Sequence, residues 1–331
     1  MEAGALPEAA VTEFELIRAY FATQPVRRAD VHLGIGDDAA VVQAPPGMET
    51  VITTDVLVAG VHFLDDTDPV ALGHKSLAVN LSDLAAMGAA PAWFVLDLTL
   101  PKIDRAWVDA YARGLHELAQ SYRIQLVGGD TARGPLAIAI TAIGLVPHGK
   151  CLRRSGARVG DMIYVTGTLG DAALALAAQC GEHGLASGDV AAVRHRLERP
   201  DPRIAEGIAL RDGASSAIDV SDGLVADLGH VLEASKVGAR LNLGAIPVSP
   251  TYRAQMRKIG LDYALAGGDD YELCFTVPPV QVSHINTLAI GSGFSFTAIG
   301  EVTAGNALEI YDSIGRIYQP KRKGFEHFAA G

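Results

Sequence analysis

Five short stretches of this 331-residue chain set aspartates beside glycine and hydroxyl residues. They are Gly34-Ile35-Gly36-Asp37-Asp38, Thr53-Thr54-Asp55, Gly128-Gly129-Asp130-Thr131, Asp219-Val220-Ser221-Asp222-Gly223 and Gly267-Gly268-Asp269-Asp270. A further acid, Asp83, falls inside Asn80-Leu81-Ser82-Asp83. Taken singly, each stretch is an ordinary turn, since Asp and Gly are common turn formers, and Asp222 also reads as the N-cap of the helix after it. Taken together they pose an electrostatic problem, because two carboxylates ~4 Å apart repel by ~4 kcal/mol at an effective dielectric of 20. If these loops converge in space, bound cations are what holds them ionised there. Carboxylates with hydroxyl and carbonyl oxygens, and no Cys/His cluster, suit a hard ion. Mg²⁺ is the first choice, because it bridges protein carboxylates to substrate phosphates. No 12-residue EF-hand loop is present to suggest Ca²⁺ storage.

The familiar phosphate and hydrolase signatures are absent: there is no GxxxxGK[ST], no GxGxxG opening a helix after Gly36, no HExxH and no GxSxG. Gly167-Thr168-Leu169-Gly170 ahead of a helix could meet a phosphate at the helix N-terminus, and it also reads as a plain turn. Arg154 follows a strand and precedes Ser155-Gly156, where it either clamps a phosphate or is simply solvated. Lys75, on the helix of Asp83, reads as a structural or solvated lysine. His62 lies just past the Asp55 strand and is either a surface histidine or a ligand contact.

The elements that must position these residues alternate. Thr12 and Glu15 form a capping-box pattern at the start, with Phe14, Ile17 and Phe21 at helical spacing. Two β-rich runs, Ala39–Gln43 and Thr50–Thr54, read as a hairpin through Pro45-Pro46-Gly47. Asp68-Pro69 opens a helix over about 70–87 that Gly88 stops. A strand over about 92–100 and a helix over about 104–122 follow. Ile124–Val127 and Leu136–Val146 read as strands flanking a Gly128-Gly129-Asp130 turn. The turn Pro147-His148-Gly149 leads into the basic Lys150–Arg154 stretch, which marks the domain boundary. Beyond it, strands (about 162–166, 215–219, 239–243, 271–277, 294–302) mix with helices (about 171–179, 202–211, 223–236, 279–290), so both halves read as α+β or α/β layers.

Composition narrows the partners. Hydrophobic residues at 49% and charged ones at 20% exclude a disordered acidic protein. A net charge of −11 and a pI near 5.3 argue against a general nucleic-acid binder or an anionic membrane guest. No run reaches the ~20 apolar residues of a membrane span, and the start shows no basic-then-apolar leader. Cys151, Cys180 and Cys274 show no CxxC spacing and are expected as reduced thiols in a cytoplasmic protein.

The stretches GIGDDAAVV, TTDVLVAGVHF, HKSLAVNLSDLAAMGA, GGDTARGPL, DVSDGL and GGDDYELCF occur in that order. Together they resemble the thiamine-monophosphate kinase family, and the resemblance runs from residue 14 to Lys323–Phe328. It implies an α/β (α+β layers) aminoimidazole ribonucleotide synthetase-like fold of two domains. Residues 1–149 would bind ATP and Mg²⁺ and dimerise through their sheet, and residues 150–331 would complete the ATP and substrate site. The implied activity is ATP-dependent phosphorylation of thiamine monophosphate to thiamine diphosphate, the last step in making that compound, in a cytoplasmic homodimer. Motif by motif, Asp37, Thr53, Thr54, Asp55, Asp83, Asp130, Asp219 and Asp222 fall on Mg²⁺ positions. Gly129, Asp130, Arg154 and Ser221 fall where ATP is held, with Asp130 and Arg154 positioning and stabilising charge. His62, Asp269 and Phe325 fall on the thiamine-phosphate side; Asp269 stands where other members often show Glu, and Phe325 offers a face to the cationic thiazolium ring. Two sibling families are disfavoured: the selenophosphate synthetases keep a reactive residue near the N-terminus, where no Cys precedes Cys151, and the hydrogenase-maturation proteins end in a Cys, where this sequence ends His327-Phe328-Ala329-Ala330-Gly331. The competing class is a non-catalytic nucleotide- or cation-binding module whose acidic loops only organise turns.

Overall fold

The computed structural model describes residues 12–322 and Gly324. Its first half runs α1 (Glu13–Leu16), a π-helical turn (Ile17–Phe21), β1 (Val31–Leu33), β2 (Val41–Val42), β3 (Met48–Val58), α2 (Pro69–Ala86), β4 (Ala90–Leu100), α3 (Arg105–Tyr122), β5 (Gln125–Arg133) and β6 (Ala137–Pro147). The capping box forms as read: Thr12 N–H donates to Glu15 at 2.9 Å and Glu15 N–H to the Thr12 hydroxyl at 3.3 Å. Phe14's side chain lies outside the described residues.

Strands β3, β6, β4 and β5 form one sheet in that order, antiparallel except for the parallel β4–β5 pair. The alternation of β3 shows its two faces: Leu57 is buried, whereas Ile52 is 67% and Val56 51% exposed on the other side. Helices α2 and α3 cover the inner face and cross closely. A Cβ on Gly73 would sit 2.1 Å from Tyr111 O, and one on Gly114 1.9 Å from Val70 O, so no side chain fits at the crossing. Asp68 caps α2, accepting Ala71 N–H at 3.2 Å, with Pro69 at the first helical position. Gly88 (φ +64) ends it, donating to Ala85 O at 2.9 Å.

The second half runs β7 (Met162–Thr166), α4 (Asp171–Gln179), α5 (Ser187–Glu198), α6 (Ile204–Leu210), β8 (Ser216–Asp219), α7 (Leu224–Ser235), β9 (Gly238–Asn242), α8 (Pro250–Ile259), α9 (Asp262–Ala266), β10 (Leu273–Val277), α10 (Val282–Ser292), β11 (Phe296–Thr303) and β12 (Leu308–Tyr311). Six strands pair in the order β12-β9-β11-β7-β10-β8. Helix α2 is buried nearly all round because α3 and the first sheet flank one side while α6 and β8 flank the other. One hydrophobic cluster spans both halves, joining Leu77, Leu84 and Phe94 to Tyr164, Ala217 and Phe275. Among the described residues no helix is long and apolar enough to cross a membrane.

Two sequence expectations change here. The hairpin through Pro45-Pro46-Gly47 does not form: β2 pairs with β1, and β3 pairs with β6 along its whole length. Gly128-Gly129-Asp130 is not a turn but the middle of β5, continuing the ladder beside Leu96 and Asp97. Gly129 (φ +145) explains why: a Cβ there would lie 1.8 Å from Leu96 O, so only glycine lets the strand pass.

Candidate active site

Two adjacent residues of α2 reach apart, one to the first half and one to the second. The Asp83 carboxylate accepts the Thr53 hydroxyl of β3. The Ser82 hydroxyl donates to Asp219 at the end of β8 at 2.8 Å. Asp55 lies two residues beyond Thr53, hence on the same face of β3. Burial, followed by the charge of Asp83, pushes the Asp55 carboxyl up to about 7. Burial also raises Asp83, although the Thr53 hydroxyl and the Arg154 guanidinium favour its charged form. Asp219, only 4% exposed, is raised by burial and then by Asp83. Asp55, Asp83 and Asp219 thus form the mutually repelling group that the spacing of acids suggested.

These three line a cavity of about 1080 Å³, together with His62, Lys75, Ser221, Asp222 and Asp269. His62 sits in the loop between β3 and α2, where its Nδ1 accepts Val58 N–H at 3.0 Å, which leaves the proton on Nε2. The Ser221–Gly223 loop is wrapped around Asp227, whose carboxylate accepts the N–H groups of Ser221, Asp222 and Gly223, each at 3.0 Å. Ser221 O in turn accepts Asp269 N–H at 2.9 Å, tying the two acidic loops together.

Each residue of Asp269-Asp270-Tyr271-Glu272 has a separate task. Asp269 faces the cavity, pairs with Lys75 at 3.1 Å and accepts the Tyr271 hydroxyl at 2.9 Å. Asp270, 2% exposed, takes Gly170 N–H with both oxygens at 2.9 Å. The start of α4 is therefore satisfied by a carboxylate, and Gly167–Gly170 is the turn rather than a phosphate loop. Glu272, fully buried, accepts Arg196 and Arg203 at 2.6 Å and the Thr166 hydroxyl at 2.5 Å. Asp269 (φ +67) and Tyr271 (φ +50) both hold left-handed backbone, a strain typical of residues that bind or react.

The remaining predicted residues are divided between this cavity and other parts of the fold. Asp37, Gly129 and Asp130 line a second cavity of about 960 Å³. The ladder row Asp55, Ile140, Leu96, Gly129 crosses the sheet on its inner face, and the next row, Val56, Ala139, Asp97, Asp130, lies on the outer one. Asp130 is therefore three strands from Asp55, about 14 Å at ~4.8 Å per strand, and points the other way. Thr54 borders the first cavity, with its hydroxyl held by β6: it donates to Ile140 O at 3.2 Å and accepts from Thr141 at 3.0 Å. Arg154 is exposed, close enough to Asp83 to favour its charge. Phe325 lies outside the described residues.

Sequence reasoning left Asp227, Asp270 and Glu272 unassigned and took Lys75 as structural or solvated. Lys75 is 3% exposed and lines the cavity. A signal existed for Asp227, an acid one helical turn after Gly223 in DVSDGLVAD, where it can fold back onto the loop.

The donor chemistry fits a hard cation: the acids are joined by hydroxyls, with no Cys at the site. Among the described residues no three His, Cys, Asp or Glu side chains stand ready-made around one metal position. Mg²⁺ does not require such a group, because it takes one or two carboxylates and fills the rest of its shell with water and substrate phosphates.

The family model for the N-terminal domain of AIR synthase related proteins matches residues 36–146, and the C-terminal one residues 158–313. Thiamine-monophosphate kinase of Escherichia coli (strain K12) is 48% identical over 319 residues, covering 96% of this chain and 98% of that protein. The crystal structure of thiamine-monophosphate kinase from Stenotrophomonas maltophilia K279a superposes with a TM-score of 0.81 at 45% identity, covering 86% of this chain and 92% of that one. The solved AaThiL complexed with AMPPCP and TMP gives a TM-score of 0.76 at 32% identity, covering 89% and 92%.

Proposed function

The chain belongs to the AIR synthase related proteins and, within them, to the thiamine-monophosphate kinases, and on that footing we propose that it transfers the γ-phosphoryl group of ATP to thiamine monophosphate, giving thiamine diphosphate. The observation that carries this reading is the convergence of Asp55, Asp83 and Asp219 in one cavity with the Lys75–Asp269 pair. Carboxylates that repel one another so strongly serve to gather cations, and cations let one phosphate approach another.

The transfer is direct and in line. A P–O bond forms from the acceptor phosphate to the γ-phosphorus as the β–γ bridging bond breaks, and its electron pair leaves with ADP. The acceptor oxygen is already deprotonated near neutral pH, since phosphate esters have a second pKa of ~6, so no side chain acts as general base. Asp37, Thr53, Thr54, Asp55, Asp83, Asp130, Asp219 and Asp222 are the residues that would hold Mg²⁺, several ions per site, which when bound would neutralise phosphate charge. Gly129, Asp130, Ser221 and Arg154 hold ATP, with Arg154 near the transferring group. His62, Asp269 and Phe325 face the thiamine portion.

We further propose a homodimer formed through the first sheet, with the division between domains at 149/150. Its support is the separation of Asp55 from Asp130: β3 and β5 are the two edges of the sheet, and each carries part of the acidic set. Two copies related by a two-fold axis, edge to edge, bring β3 of one against β5 of the other and bury the exposed Ile52 and Val56. The cytoplasm suits the three free cysteines.

Coupled detection of ADP with and without thiamine monophosphate tests the assignment. The expected result is Mg²⁺-dependent ADP release that needs the acceptor. Nucleotide binding without acceptor-dependent release would instead favour a non-catalytic binding module.

A further inference from the structure

Lys75 is the one Lys or Arg among the described residues lining the 1080 Å³ cavity, whose wall also carries the carboxylates of Asp55, Asp83, Glu198, Asp219, Asp222 and Asp269. It lies on the same face of α2 as Val79 and Asp83, at i, i+4 and i+8, and all three line the cavity. Its backbone is therefore about 12 Å along the helix from that of Asp83, at ~1.5 Å per residue. Burying an ammonium is unfavourable unless it is paired, and Asp269 supplies the pair at 3.1 Å. Asp269 is itself fixed by left-handed backbone (φ +67) and by the Tyr271 hydroxyl at 2.9 Å, yet its side chain keeps 30% exposure. Among the described residues this is the only side-chain hydrogen bond of Lys75, so two of its three N–H groups are left to donate.

We propose that this pair opens on the acceptor: Lys75 takes the phosphate of thiamine monophosphate and Asp269 takes its cationic ring. The inference rests on the kinase reading and specifies how the acceptor is chosen. The electrostatic reason is balance. Before binding, one cation and one anion neutralise each other in the pocket. A ligand carrying one cationic ring and one phosphate exchanges partners with both, and neither Lys75 nor Asp269 is left without an opposite charge at either stage. A cationic ring without phosphate competes with Lys75 for Asp269, whereas a phosphate without the ring strands Asp269. The cavity thus selects a zwitterionic phosphate ester, with Lys75 facing the phosphate that the acidic end of α2 must help to activate.

Calorimetric titration of the full chain, loaded with Mg²⁺ and a non-hydrolysable ATP analogue, with thiamine monophosphate and with thiamine tests this. In Lys75→Met the Kd for thiamine monophosphate should rise more than ~10-fold, the scale of a lost charge-assisted hydrogen bond, while that for thiamine should not rise and should fall to the extent that Lys75 competed for Asp269. Lys75→Arg should recover part of the loss, and Asp269→Asn should weaken thiamine as well. If Lys75→Met does not fold, Lys75→Gln carries the same comparison. Equal weakening of both ligands would overturn the proposal, as would restored thiamine monophosphate affinity in the Lys75→Met/Asp269→Asn double variant, since either makes Lys75 a mere neutraliser of Asp269. Failure of the kinase reading is separate: wild type would then release no ADP with the acceptor, whatever these binding ratios show.

Discussion

Asp55 and Asp130 stand at opposite edges of one four-stranded sheet and on opposite faces of it, linked through ladder positions on β6 and β4. At about 14 Å by strand spacing, the two cannot share a cation within one chain. The proposed dimer resolves this by letting each site draw Asp55 from one copy and Asp130 from the other.

That arrangement predicts complementation. Asp55→Asn and Asp130→Asn proteins should each be inactive alone. After unfolding and refolding together, half of the dimers are mixed, and each mixed dimer holds one intact site, so about a quarter of wild-type activity should return. If each site were built within a single chain, the mixture would stay inactive.

The acidic group should destabilise the metal-free protein. Asp55 is pushed up to about 7 from its ordinary 3.8, so between those values the folded chain binds more protons than the unfolded one. Stability therefore falls as pH rises through that window. With chelator at pH 8, Asp55→Asn should melt above wild type, the gap closing toward pH 4, and added Mg²⁺ should favour wild type. Turnover of the same variant should fall ~100-fold or more, as when a preorganised electrostatic group is removed.

Glu272 should behave in the opposite sense. Burial alone would raise its carboxyl, but the Arg203 and Arg196 guanidinium groups and the Thr166 hydroxyl hold it below its ordinary 4.5. Its contribution is complete above that value and is lost as pH falls through the depressed one. Glu272→Gln removes the carboxylate paired with Arg196 and one of those paired with Arg203, and should lose ~3 kcal/mol in urea unfolding at pH 7, with the deficit shrinking in acid.

How far the chain could be read varies by feature. Helix α2 was legible because Asp68-Pro69 and Gly88 are local signals that tertiary structure leaves in force. Gly128-Gly129-Asp130 misled because its composition is that of a turn, whereas the glycine is demanded by a neighbouring carbonyl, Leu96 O, that local sequence does not reveal. The full length of β3 and its pairing with β6 are hidden for a related reason, since the partner residues are distant in the chain. The acidic loops themselves stood out, but the residues that shape them did not. Asp227 and Asp270 resemble ordinary first-turn and loop acids until their backbone partners are seen, and Lys75 looks solvated until the second half of the chain closes over it. Which acids meet in one cavity and which lie across the sheet is a property of the strand order, which no motif encodes.

The central claim is tested most directly by following the γ-phosphoryl group. With γ-³²P-ATP, Mg²⁺ and thiamine monophosphate, the label should move stoichiometrically into thiamine diphosphate, and protein isolated without acceptor should carry none. Label recovered as inorganic phosphate, or trapped on the protein in the absence of acceptor, would contradict direct transfer between the two substrates.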